Sequence, residues 1–238
     1  RLGEQIGGRG GARHLPALER PRRRARPREQ RFVGRHDPDR AQSGVLVTLD
    51  NGRHYLFDCG AGITRNMVRA NVNPADVPFV FFTHLHHDHV CDFPLFTITG
   101  WIWSRQGSMI VVGPKGTREF CARLFEGGAF DADFRARAHY PARQRNIEAT
   151  RPDVRECSPG LAYSDEHVRI TCDWVEHIPR EISECFGVRL ESEGRAVAFS
   201  GDTSPCDSML KLAQDADLLV HECTFPEAFI EHRRKTGV

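Results

Sequence analysis

The sequence has no C-x-x-C pair, no secretory leader, no apolar run approaching ~18 residues and only three lysines. Each absence narrows the reading. Without a long apolar run, no membrane-spanning segment is expected. The N-terminus is rich in arginine but lacks the apolar core of a signal peptide, so secretion is not expected either. Eight cysteines are present, but they are scattered singly through 238 residues. That spacing argues for reduced, mostly buried thiols in a cytoplasmic protein rather than a disulfide framework.

Lys115, Lys211 and Lys235 stand against thirty arginines, a bias that suggests a G/C-rich gene. Residues 1–31 hold ten Arg and three acids, a charge of +7; against a total of +1, that leaves the rest at −6. A mildly acidic body does not offer a broad nucleic-acid-binding face. Residues 1–43 have few aliphatics and neither a helical nor a strand period, so they are expected to be a disordered or aberrant basic leader. A basic arm for nucleic acid and an out-of-frame read of a G/C-rich gene remain open alternatives. The absence of Ser before Ser43 disfavours a transit peptide. With Arg1 in place of Met, a fragment or a processed form is expected.

Residues 44–238 suffice for one domain with a sizeable core. GVLVTLDNGRHYLFDCG holds two apolar runs around Asn51-Gly52, a hairpin signal. AGITRNMVRA reads as a helix and VPFVFFTH as a buried strand. SMIVVGPKG is a strand broken by Pro114 and Gly116, and Thr117 is expected to N-cap a helix through Phe125. Residues 127–160 read as irregular. VRITCDWVEH alternates like a strand, and CFGVRLESEGRAVAFSGDT is a hairpin turning at Glu193-Gly194. SMLKLAQDA is helical, DLLVHECTF a buried strand, and PEAFIEHRRK opens a last helix with Pro226 near its first turn. Strands and helices alternate with antiparallel hairpins mixed in, which is an α/β (α+β) domain with layered strands. Trp101 and Trp103 are expected in the core or in a dimer contact.

The chemistry concentrates in FFTHLHHDHVCDFP, residues 81–94. A loop leaving a strand can present His84 and His86 on one side. Asp88 and His89, where the chain turns into a helix, can face a second point a few ångströms away. Imidazole and carboxylate ligands suit Zn²⁺, with Mn²⁺ or Fe as competitors. His87 is expected to point elsewhere.

This H-x-H-x-D-H pattern, with FDCG before it and DWVEHIP, FSGDT and LLVHECTF after it, resembles the metallo-β-lactamase superfamily over roughly residues 44–238. With VGPKG and CFGVRLE it is similar to the ribonuclease Z and arylsulfatase-like branch. The resemblance implies an αββα sandwich and two metals. One would take His84, His86, His177 and Asp202; the other Asp88, His89, Asp202 and one further histidine. Asp58 would orient a ligand. His221, with Glu222 beside it, would donate a proton to the leaving group. Two metals ~3.5–4 Å apart activate a water for attack on an ester. A phosphodiester, as in precursor tRNA, is the first implied substrate, and an aryl sulfate or other small anionic ester the second. A weakly active or inactive fragment is the third reading. A homodimer is common in this branch.

Two departures qualify the resemblance. The second metal's last histidine should follow LLVHECTF in a His-Ser/Thr turn, but the sequence ends at Val238 without one, and His232 is a poor substitute inside a predicted helix. The family's first strand and its Gly-Thr-Gly turn are also missing, with FVGRHDPDRAQSG in their place. The expectation is a domain lacking its first strand and its C-terminal part. Residues 127–157, with six Arg against five acids and no glycine-rich run, do not resemble a tRNA-gripping arm. That pulls toward a small anionic substrate or a short ribonuclease relative.

Overall fold

Period-two alternation decides the architecture. Tyr55 and Phe57, and likewise Phe79 and Phe81, turn to one side of their strands, while Leu56 and Val80 turn to the other. Both sides are buried, so the sheet they build must be covered on both faces. The computed structural model describes residues 40–144 and 146–223. The expected basic leader, except for residues 40–43, and the expected last helix with His232 lie outside the described residues.

The first sheet has the order β1 (Val45–Thr48), β2 (His54–Phe57), β3 (Phe79–Phe81), β4 (Ile110–Gly113), β5 (Asp153–Glu156). The β1–β2 pair is antiparallel and the rest are parallel. In the second sheet, β6 (Gly160–Ser164), β7 (Arg169–Trp174), β8 (Phe186–Ser192) and β9 (Arg195–Phe199) are antiparallel neighbours. β10 (Leu218–Val220) closes this sheet, parallel to β9. The two hairpins turn where expected: Gly52 has φ +83°, and Glu193 and Gly194 both have positive φ, as a two-residue hairpin loop requires.

Between the sheets lies an aromatic core. Phe57 stacks on Phe199 at 4.5 Å, and Phe79 meets Tyr163 at 4.7 Å. Each such buried ring contributes roughly 1.5–3 kcal/mol of transfer free energy. The outer face of the first sheet packs on α1 (Ile63–Arg69), α3 (Phe93–Ile102), α4 (Thr117–Phe125) and α5 (Asp131–Ala138) through Met67, Phe93, Phe96, Trp101, Phe125 and Phe134. The outer face of the second meets α7 (Asp207–Ala213) through Met209 and Leu212. Helix, sheet, sheet, helix is the four-layer order expected of the sandwich.

Several expectations need correction. Residues 127–160 are not irregular: they form α5, the short α6 (Pro141–Gln144), a 3₁₀ turn at Ile147–Thr150 and β5. Helix α5 has one buried side chain, Phe134, and is braced by Arg135–Asp131 and Arg137–Asp133 pairs spaced i, i+4. Thr117 is the first helical residue rather than the N-cap of α4; Gly116, at φ +99°, takes the cap position. The Thr117 hydroxyl instead donates back to Pro114 O. β10 is exposed among the described residues, although its apolar run reads as a core strand. Trp101 is core as expected, while Trp103, 46% exposed, is not part of the core.

At the end of the sandwich where β6 turns into β7, Asp165 gathers four donors. Tyr55 and Tyr163 hydroxyls donate to Oδ2 at 2.8 and 3.1 Å, and His167 and Val168 N–H groups to Oδ1. Partial burial opposes its charge, but these hydrogen bonds outweigh burial and hold its pKa below the usual range.

Candidate metal centre

The candidate ligands sit at the ends of strands, where the chain leaves the sheets and can turn toward a common point. Asp58 follows β2, His84 lies just past β3, His177 follows β7, Asp202 follows β9 and His221 follows β10. Between β3 and α3, the short helix α2 (His87–Val90) carries His89.

Asp58 organises the first half. It has φ +59°, a left-handed conformation that costs a non-glycine residue energy and so needs tertiary support. Its N–H donates to Phe81 O. Its carboxylate accepts from Thr83 N at 2.8 Å, from the Thr83 hydroxyl at 2.9 Å and from His89 Nδ1 at 2.7 Å. The Thr83 hydroxyl spends its one proton on Asp58, so it accepts from His84 Nδ1, 3.1 Å away. One carboxylate therefore fixes two tautomers. Both His84 and His89 keep a proton on Nδ1; the His84 Nε2 lone pair turns inward, and His89 Nε2 faces Asp202 beside it.

Gly60, in the FDCG stretch, serves the same loop. A Cβ there would lie 1.9 Å from Asp88 O, so only glycine allows this close approach of backbone to the histidine run. Cys59 N donates to His89 O, which fastens the two segments together.

Two donor groups result. His84, His86 and His177 form one; His84, His89 and Asp202 form the other, with ligand atoms in each group within 4.8 Å of one another. His84 belongs to both. His86 Nδ1 and His177 Nε2 face each other at 3.2 Å. Asp202 lies between the groups, with Oδ1 at 3.2 Å from His89 Nε2 and Oδ2 at 3.9 Å from His177 Nε2. The His84 Nε2 atom is buried and has no hydrogen-bond partner among the described residues. An orphaned buried lone pair amid imidazoles and a carboxylate is the donor chemistry a Zn²⁺-type ion satisfies.

Electrostatics agree. Burial, then the nearby His89 charge, hold the His84 pKa down to about 3. His86 is also lowered, by burial and then by His177. His89 goes the other way: burial opposes its charge, but hydrogen bonds with Asp202 and Asp58 outweigh it and lift the pKa to about 10. Burial likewise opposes the Asp202 charge, and the His89 hydrogen bond outweighs it, lowering the pKa. One proton on His89 thus balances two carboxylates, a role a cation can take over.

A second set of contacts joins the loops carrying His177 and Asp202. Glu176 N donates to the Thr203 hydroxyl at 3.1 Å, and Ser204 N donates to Glu176 O at 2.7 Å. Glu222 accepts from Thr203 N at 2.8 Å, and its own N–H donates to the Ser200 hydroxyl. Glu222 therefore steadies the Asp202 loop from the end of β10.

The sequence-predicted residues sort as follows. His84, His86, His89, His177 and Asp202 converge. Asp88 stands at the rim, 41% exposed, with Oδ2 at 4.0 Å from His89 Nε2. His87 points outward as expected. His221 and Glu222 line a cleft with Phe57, Asp58, Thr83 and Asp202. His221 Nδ1 contacts Glu222 O at 2.8 Å; a carbonyl only accepts, so Nδ1 carries the proton and Nε2 is free to exchange one. Thr83, Thr203 and Glu176 were not singled out by sequence reasoning. Thr83 adjoins the histidine run and Thr203 follows Asp202 in FSGDT, and position in the motif is their only sequence signal.

The sequence model of the family described as "Anti-Pycsar protein Apyc1" matches residues 36–233. A ribonuclease Z of Mycobacterium bovis is 32% identical over 191 residues, covering 78% of this chain and 65% of that protein. A ribonuclease Z of Haloferax volcanii is 31% identical over 229 residues, covering 83% of this chain and 72% of its own length. The chain thus spans about 65% of the mycobacterial relatives it matches. The crystal structure of human tRNase Z, short form, superposes with a TM-score of 0.65 at 22% identity, over 84% of this chain and 77% of that one, which shows a shared fold. No helix among the described residues is long and apolar enough to cross a membrane.

Proposed function

Since the chain belongs to the family described as anti-Pycsar protein Apyc1, a metallo-β-lactamase fold related to ribonuclease Z, we propose that it is a hydrolase that cleaves a phosphodiester with two metal ions, Zn²⁺ first among the candidates. The observation that carries this reading is the pair of donor groups sharing His84. His84, His86 and His177 would hold one ion, His89 and Asp88 the other, with Asp202 between them. When bound, such ions supply an activated water and a positive clamp for the oxygens of the ester. The chain's own residues do the rest. Asp58 and Thr83 hold the Nε2 atoms of His89 and His84 as lone pairs. Glu222 and the Thr203–Glu176 contacts keep Asp202 and His177 in register. His221 passes a proton from Nε2 to the leaving oxygen while its Nδ1–H stays on Glu222 O.

A small substrate is favoured over precursor tRNA. Arg135, Arg137 and Arg155 pair with Asp131, Asp133 and Asp153 on their own elements, so half of the six arginines in residues 127–157 are already committed and less available to an RNA backbone. The family description supports a cyclic nucleotide. Precursor tRNA is the second reading, supported by the identity to ribonuclease Z.

The test is turnover by Zn²⁺- or Mn²⁺-loaded protein. Four substrates are compared: a bis-aryl phosphate, a cyclic nucleoside monophosphate, a precursor tRNA and an aryl sulfate. Hydrolysis of the first two, abolished by His84→Ala, is expected. Cleavage of the tRNA alone would exchange the substrate; turnover of the sulfate alone, or of nothing, would overturn the phosphodiesterase reading.

A further inference from the structure

Away from the metal centre, the described residues contain a second chemical pair. Cys157 Sγ and Cys172 Sγ lie 3.9 Å apart. Cys157 leaves the end of β5, with its N–H on Gly113 O. Cys172 lies within β7, opposite Gly160 and Val188. The two sulfurs therefore meet across the seam between the sheets. Cys172 is buried and Cys157 is partly exposed. No third ligand joins them among the described residues, so the pair does not form a metal site of its own.

We propose that Cys157 and Cys172 are a modification site: a dithiol that small disulfide oxidants close into a reversible cross-link between the two sheets. A disulfide bond is about 2.05 Å long, so closure needs the sulfurs to approach by about 2 Å, within the reach of side-chain rotation and small backbone adjustment. Cys157 is the sulfur an oxidant reaches first. Its thiolate attacks a small disulfide such as oxidised glutathione; that S–S bond breaks, and one small thiol departs, taking up a proton. Cys172 then gives up its proton and attacks Cys157 Sγ, forming the protein S–S bond and expelling the second small thiol. The two protein sulfurs lose two electrons and the oxidant gains them. The hydrogen bond shared with Cys157, in which Cys172 keeps its proton, and then burial push the Cys172 thiol up, so Cys172 is not the sulfur that starts the exchange.

The link would tie together two parts of the site's surroundings. Glu156, beside Cys157, accepts from Gly116 N and Arg118 N, and so anchors the loop after β4. That loop packs near Leu85, between His84 and His86. Cys172 is on the strand that runs on to His177.

The experiment uses the full chain as Cys91→Ser/Cys223→Ser, which removes the two exposed thiols. It is incubated with oxidised glutathione, alkylated and mapped by peptide mass. Loss of two hydrogens across the Cys157 and Cys172 peptides is expected, reversed by dithiothreitol and absent in Cys172→Ser. The closed form should melt roughly 5–10 °C higher than the reduced form. Alkylation of both cysteines after oxidation, or a glutathione adduct that persists on Cys157, would overturn the proposal.

Discussion

Asp58→Asn tests whether one carboxylate sets the tautomers of two histidines. The amide oxygen can still accept from Thr83 N and from the Thr83 hydroxyl, so His84 keeps its proton on Nδ1 and its lone pair on Nε2. The amide NH₂, however, then faces His89 Nδ1–H, where the native oxygen lies at 2.7 Å. Two donors cannot pair. With Asp58 3% and His89 2% exposed, water has little access to relieve the conflict. His89 must either leave a buried donor unsatisfied, at about 1–3 kcal/mol, or move its proton to Nε2. In the second case it no longer offers a lone pair to an ion. Loss of an orienting partner of this kind weakens metal binding roughly 10–100-fold, about 1.4–2.8 kcal/mol, so the two costs have the same size. The expected result is selective: one metal equivalent weakened by that factor, and the ion at His86 and His177 little changed. Titration of metal against a chromogenic chelator, with thermal unfolding of metal-free protein alongside, measures both. Two equivalents bound with native affinity would refute the tautomer argument.

Chelation should lower the melting temperature, and Zn²⁺ at a hundred times its Kd should restore up to about 2.7 kcal/mol per ion; insensitivity to chelator would argue against a native metal site. Thr203→Val, which removes the acceptor for Glu176 N–H, should weaken metal binding by roughly tenfold, with Thr203→Ser restoring it; equal affinities in calorimetry would make Thr203 a bystander. Gly60→Ala forces a Cβ against Asp88 O and should cost at least about 1–3 kcal/mol together with metal stoichiometry, whereas native melting and metal content would show that the loop can yield. The Asp165 pKa is lower folded than unfolded, so its stabilisation is complete above the unfolded value and is lost as pH falls through the folded one. Asp165→Asn should therefore flatten the acid limb of the melting-temperature profile, and an unchanged limb would show that those four hydrogen bonds do not favour the charged form.

Much of the fold was legible because its strands carry strong local signals. Phe79–Phe81 and Ile110–Gly113 are apolar runs next to turn residues, and both hairpins announce themselves by glycine. Helix α5 was not legible. Its DADFRARA stretch offers one apolar anchor, and ion pairs spaced by one turn do not register as hydrophobic period. β10 misled in the opposite direction, since an apolar run alone cannot say whether anything covers it. In the site, five converging ligands lay in motifs. Thr83, Thr203 and Glu176 lay in the same motifs, but their contacts were not legible, because a threonine that accepts from a distant backbone N–H looks like any other threonine until tertiary structure supplies the partner.

The division of the ligands between the two sheets has a kinetic consequence. His84, His86, Asp88 and His89 fall within six consecutive positions, but His177 is 91 residues beyond His86. Contacts of such separation form only after long loops have closed, so the complete centre belongs to the end of folding, when the sheets dock. The histidine run needs no such closure and can hold an ion in the unfolded chain. Metal then stabilises both states, and the gain in folding free energy falls short of what the native affinity implies. The same property would give such an ion a place on the nascent chain before the second sheet arrives.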